Sequence, residues 1–178
     1  MLNGFGDRAV IDDCIEQIKA LGVDVDYHGA DMSNPKEIED LIKTTESRFG
    51  TLDILINNAG IQFTAAVEDF PINRWDAIIA INLSSAFHTS HHALPGMKAR
   101  NWGRIINIAS VHGLVASPNK SAYVAAKHGI VGLTKVIALE NAKTGVTCNA
   151  ICPGWVLTPL VSAHWQPTQF SAAQRDRW

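Results

Sequence analysis

The chain has 178 residues, 47% of them hydrophobic and 18% charged, with a formal net charge of -2. That balance suits one globular domain over residues 1–178 with a sizeable core, and the lack of a Lys/Arg run argues against nucleic acid or an anionic membrane as partner. No apolar run approaches the roughly 20 residues of a membrane span, and MLNGFGDRAV lacks the charged-then-apolar layout of a signal peptide, so a reducing cytoplasm is the expected setting.

Helical and strand patterns alternate along the chain. DRAVIDDCIEQIKALG places Ile11, Cys14, Ile15, Ile18 and Leu21 at helical spacing and ends at Gly22. VDVDYHGAD alternates like a strand. Asn34, Pro35 and Glu37 then supply a cap, a first-turn proline and a capping-box acid for a helix that runs to about Phe49 and stops at Gly50. LDILIN is a short, almost wholly apolar strand of the kind found where both sheet faces are covered. The stretch RWDAIIAINLSSAFHTSHHALPGMKARN reads as a long helix disturbed near Pro95 and Gly96. Its His88 and His92 are four apart, a spacing that can hold a metal, but a packed or solvated helix face is expected and no metal site is assigned. RIINIAS is a second buried strand, KSAYVAAKHGIVGLTKVIALENAKTG a second long helix, and VTCNAIC a strand before the Pro153-Gly154 turn. Cys14, Cys148 and Cys152 form neither a CxxC pair nor an even set and are expected to be buried free thiols.

Strict alternation of strands and helices implies parallel pairing through right-handed crossovers, and ligands in such sheets collect at the carboxyl ends of the strands. The residues expected on that rim are Asp31, then Asn57-Asn58-Ala59-Gly60, then Ser110 and His112, then Pro153-Gly154-Trp155. Tyr123 and Lys127 lie four apart, on one side of a helix, where a fixed ammonium favours the phenolate of a group that ordinarily titrates near roughly pH 10. Such a pair can take the hydroxyl proton of an alcohol, and a neighbouring serine can hold the substrate oxygen by a hydrogen bond. Taken one at a time, Tyr123 reads better as a half-buried helix tyrosine, Lys127 as a solvated end, Ser110 as a turn residue and Asn82 as a core amide.

Together and in this order, NNAG (57–60), Asn82, Ser110, Tyr123 with Lys127, and Pro153-Gly154 resemble the short-chain dehydrogenase/reductase family. The resemblance implies an α/β fold: an incomplete Rossmann-type, doubly wound parallel sheet with helices on both faces. It implies an NAD-dependent dehydrogenase with Asn82, Ser110, Tyr123 and Lys127 as catalytic residues, Asn82 holding a relay water. It further implies nucleotide contacts from Asp31, Met32, Asn58, Ala59, Gly60, Tyr123, Lys127, Pro153, Gly154 and Thr158. The position that usually chooses between cofactors falls at Gly4-Phe5, with neither an acid nor an arginine, and the lack of a phosphate-binding cation favours NAD over NADP.

The words NNAGIQ, ALPGMKARNWGRIINIASVHGLVAS, NKSAYVAAKHGIVGLTK and CNAICPGWVLTPLV are similar to family members that convert 3-hydroxybutyrate to acetoacetate. In those enzymes a glutamine, a histidine and a lysine hold the substrate carboxylate, and the matching residues are Gln62, His112 and Lys120. Ser110 and Tyr123 would meet the reacting oxygen, and Trp155 would wall the methyl end. The sequence departs from the family pattern at both ends. No TGxxxGxG turn follows a strand, the lid is short, and His164 stands where a second carboxylate-binding glutamine is expected. The expectation is that this chain represents an incomplete member that binds NAD weakly, its full-length relatives being homotetramers. The alternatives are a non-catalytic remnant or isoform that associates with a full-length relative, or a dehydrogenase for another alcohol or sugar.

Overall fold

A computed structural model describes residues 1–154 and 156. The chain order is β1 (Leu2–Asn3), α1 (Arg8–Lys19), β2 (Tyr27–His28), α2 (Pro35–Phe49), β3 (Ile54–Asn57), α3 (Ile72–Ile79), a π-helical turn (Ala80–Ser84), α4 (Ser85–Ala99), β4 (Gly103–Ile108), a 3-10 turn (Val111–Gly113), α5 (Ser121–Glu140) and β5 (Val146–Ile151). All pairings are parallel: β1 with β2, and β3, β4 and β5 side by side in that order. This is an α/β architecture with two incomplete sheets, a partial Rossmann arrangement.

The helices start and stop where their local chemistry dictates. The Asp7 side chain accepts the Ala9 N–H to open α1. Asn34 accepts the Lys36 N–H to open α2, whose Glu37 carboxylate takes the Asp31 N–H and the Asn34 side-chain amide, both at 2.8 Å, while the Asn34 backbone N–H donates to the Asp31 carbonyl. Gly50, at φ 83, ends α2 in the left-handed region that glycine occupies without steric cost.

One face of the larger sheet carries the core. Leu55, Ile105, Val146 and Cys148 point to the same side and meet Ala93 and Met97 of α4 and Ile137 of α5. The alternate residues Ile54, Ile56 and Ile151 are about half exposed on the opposite side. The α1 helix has no buried residue despite its apolar stripe, and Cys14 on it is exposed, contrary to the expectation for that thiol. Cys148 is buried and Cys152 partly so.

Three expectations about the elements are corrected. VDVDYHGAD yields only the two-residue β2, because its partner β1 is itself two residues long. Pro95 lies inside α4, which continues unbroken to Ala99. The helix departs from regularity earlier, at the π-helical turn 80–84. Gly96 faces α2, where a Cβ would lie 2.8 Å from Glu46 Oε1, the movable end of a side chain. The third concerns length: α5 is long and apolar enough to cross a membrane by composition alone. Its Ala122, Ala126, Lys127, Ile130, Thr134 and Ile137 are buried, as in a core helix of a layered domain.

Candidate active site

The carboxyl ends of β4 and β5 are tied together before any side chain is considered. The Ala109 N–H donates to the Ile151 carbonyl and the Val111 N–H to the Pro153 carbonyl, both at 2.8 Å. Ser110, between them, is nearly buried, and its Oγ accepts the His112 N–H at 3.2 Å as the cap of the 3-10 turn. A hydroxyl that accepts through its oxygen keeps its own proton to donate.

The first two turns of α5 bring the tyrosine and lysine to this edge. Lys127 Nζ lies 5.6 Å from the Tyr123 ring centroid and donates to the Ile108 carbonyl at 2.7 Å. Only 4% of Lys127 is exposed, and this burial pushes its amine down from 10.5 to about 8, against a smaller opposing pull from Cys152. Gly113 explains how the turn comes so close: a Cβ there would stand 2.6 Å from the Lys127 carbonyl oxygen. Sequence reasoning missed both Ile108 and Gly113, and only the glycine following His112 hinted at a close approach.

His112 joins the same cluster. Its ring stands edge-on to Tyr123, centroids 6.2 Å apart, and its Nε2 lies 3.4 Å from Lys120 Nζ. Loss of water around the ring, then the Lys120 charge, hold His112 below the ordinary histidine range. Burial likewise lowers the Lys120 amine.

Asn82 lies on the π-helical turn, which widens the helix and swings the residue inward to 1% exposure. Its Oδ1 accepts the Ile61 N–H and its Nδ2 donates to the Ile61 carbonyl, both at 2.9 Å. Ile61 is thus a partner that the sequence did not reveal. Gln62 follows it, exposed on the loop after β3.

A groove of about 750 Å³ runs between β1 and β3 and includes Met32, Asn58, Ala59 and Gly60. Its size, with an exposed backbone at 58–60, fits part of a dinucleotide. Asp31, expected to serve the nucleotide, turns to Ser33, taking both its N–H and its hydroxyl at 2.8 Å, and these bonds hold its carboxyl below the usual range. Gly154 is exposed beyond the Pro153 bond, while Trp155 and Thr158, with His164, lie outside the described residues. The structure therefore gathers Ser110, His112, Lys120, Tyr123 and Lys127 into one cluster. It seats Met32 and Asn58-Ala59-Gly60 in a separate groove, with Asn82 and Gln62 on the segment that leads on from it.

The short chain dehydrogenase family profile matches residues 7–169. The chain is 68% identical over 161 residues to a D-beta-hydroxybutyrate dehydrogenase of Cupriavidus necator, covering 90% of this chain and 62% of that protein. It is 60% identical over 162 residues to a D-beta-hydroxybutyrate dehydrogenase of Rhizobium meliloti, covering 90% of this chain and 63% of that protein. A 3-oxoacyl-[acyl-carrier-protein] reductase of Staphylococcus aureus is 38% identical over 162 residues, with 91% of this chain and 66% of that protein covered. The chain thus spans somewhat over three fifths of the length of the two dehydrogenases.

Proposed function

The chain belongs to the short chain dehydrogenase family, and from that premise we propose that it carries the proton-transfer and substrate-holding part of an NAD-dependent dehydrogenase for short 3-hydroxy acids, converting 3-hydroxybutyrate to acetoacetate. The observation that carries this reading is the single cluster of Ser110, His112, Lys120, Tyr123 and Lys127 at the joined ends of β4 and β5. Nothing in it suits a metal or a nucleic acid better. By the same reading the protein works in the cytoplasm on a small soluble acid.

Oxidising a secondary alcohol removes a proton from oxygen and a hydride from carbon. Tyr123 is the base for the proton. Lys127, charged below about pH 8, stands 5.6 Å from the Tyr123 ring centroid and is held in place by the Ile108 carbonyl. Ser110 donates its hydroxyl proton to the substrate oxygen and so keeps it beside Tyr123. Lys120, with His112 and Gln62, receives the carboxylate at the other end of the acid, where a charge-assisted bond fixes which face of the carbinol carbon is presented. Asn82 shapes the wall by clamping Ile61, and a relay water is the further role proposed for it. NAD, when bound by Met32, Asn58-Ala59-Gly60, Lys127 and Pro153-Gly154, supplies the ring that accepts the hydride.

A second reading has its own support. Ile54 and Ile56 are 54% and 58% exposed, a surface suited to a chain that acts by joining a full-length relative. One experiment separates the two. Residues 1–178 are fused to the part of the Cupriavidus necator relative that the match leaves out, and NADH formation is followed with 3-hydroxybutyrate. Turnover that Tyr123→Phe lowers at least about 100-fold is expected for a lost general base. Equal turnover by the Phe variant overturns the catalytic reading, and equal efficiency on butan-2-ol, which lacks the carboxylate, overturns the substrate assignment.

A further inference from the structure

The loop after β3 is fastened at two points only a few residues apart. Ile61 is held on both its N–H and its carbonyl by Asn82. Four residues later the Ala65 N–H donates to the Asn119 carbonyl at 3.0 Å. Gln62 sits on the short bridge between these anchors. Asn119 directly precedes Lys120, the residue that opens α5 and reaches His112. One peptide group therefore joins the Gln62 side of the pocket to the Lys120 side.

Asn119 makes this bond in an unusual conformation. Its φ is 62, one of two non-glycine residues in the left-handed region among the described residues. Asparagine occupies that region at less cost than other side-chain-bearing residues, and a β-branched residue is strongly disfavoured there. The other left-handed asparagine, Asn101, lies in the turn between α4 and β4, away from the cluster, where its side chain caps the Gly145 N–H at 2.9 Å. At Asn119 the left-handed backbone instead presents a carbonyl to the Ala65 N–H. Such strain persists where surrounding structure over-determines it.

We propose that Asn119 is a positioning residue: its left-handed backbone sets the span between Gln62 and Lys120, and with it how closely these two residues close on the substrate carboxylate. This rests on the carboxylate-holding reading given above. It assigns no chemistry to Asn119, which acts through its neighbours.

The test compares Asn119→Val with Asn119→Gly in the 1–178 chain by NMR. Glycine keeps the carbonyl and enters the left-handed region freely; valine does not. Two signals report the span: hydrogen exchange at the Ala65 amide and the titration midpoint of His112. Among the described residues the charged or titratable side chains facing His112 are Lys120 and Tyr123, with the Val115 backbone as a further hydrogen-bond partner, so withdrawing Lys120 raises that midpoint. In the valine variant Ala65 exchange is expected to quicken about tenfold or more, the mark of a local opening, and the His112 midpoint to rise. In the glycine variant both stay near wild type. If the valine variant does not fold, Asn119→Ala takes its place. Wild-type behaviour in the valine or alanine variant, or equal loss in the glycine variant, overturns the proposal. Adding 3-hydroxybutyrate tests the underlying reading separately. Unmoved Gln62 and Lys120 signals count against the carboxylate site, while the span is judged on Ala65 and His112 alone.

Discussion

Lys127 is a charge-bearing group in a place where charge is costly, and its pH dependence follows with a definite sign. Burial lowers its folded-state value from 10.5 to about 8, which corresponds to a penalty on the order of 3 kcal/mol at neutral pH. Below about pH 8 both folded and unfolded chains hold the proton, so the folded state bears the whole penalty. Between about 8 and 10.5 the unfolded chain still holds a proton that the folded one has shed, so stability rises with pH across that window. Lys127→Met is therefore expected to be more stable than wild type at about pH 7, with the gap closing toward pH 10, as read by urea unfolding at a series of pH values. The comparison cancels Cys148, whose thiol burial pushes up from 9.0 to about 11 and which therefore lowers stability above pH 9 in both proteins. The Lys127 penalty is the residue-level signature of a site: a cation kept where packing alone would have placed a methionine.

At the scale of the elements, one chain of polar side chains runs beneath the helices. Thr89 of α4 donates to Asn57 Oδ1 at 2.7 Å; Asn57 donates to Asn107 Oδ1 at 2.8 Å; Asn107 donates to Thr134 Oγ1 of α5 at 2.8 Å. Asn57 and Asn107 are register partners on β3 and β4, so both amides emerge on the helix-covered face. The chain fixes α4 and α5 to neighbouring strands at the level where the site begins. Asn107→Ala empties a fully buried site and leaves the part-buried Asn57 amide without its acceptor, and is expected to cost about 2–3 kcal/mol, whereas Asn149→Ala, on the exposed side of β5, should stay within about 0.5, both by urea unfolding. Little of this was legible beforehand. A buried asparagine inside RIINIAS looks like a strand residue of any sheet, because its partners are 27 and 50 residues away. What could be read was local: the Asn34 cap, the Gly50 stop, and the tyrosine and lysine one helical turn apart. Pro95 misled because a proline forfeits one bond only, and α4, braced by α2 at Gly96, absorbs the loss. The π-helical turn left no trace in composition, since it answers to Ile61, 21 residues upstream of Asn82. The pairing of His112 with Lys120 was legible only through family resemblance, because spacing alone does not bring the two together.

The molecule as a whole gathers Ser110, His112, Lys120, Tyr123 and Lys127 at one edge, and the groove proposed for the nucleotide lies between β1 and β3. The α1 helix follows Gly4-Phe5 on the groove's rim, and its first free amides meet the Asp7 carboxylate, which takes the Ala9 N–H at 2.9 Å. An acid so placed competes with and repels a pyrophosphate, where a helix N-terminus otherwise attracts one. Calorimetric titration of NAD into residues 1–178 is accordingly expected to give an affinity weaker than micromolar; a tighter constant would show that the seat lies elsewhere. The sheet carries a last implication. Among the described residues β4 alone has a ladder on each side, with β3 and β5 as its flanks. Deuterium will thus enter this protein from its margins inward. The Ile105 and Ile106 amides should keep their protons longest, and the final event on complete opening will be the release of one six-residue strand.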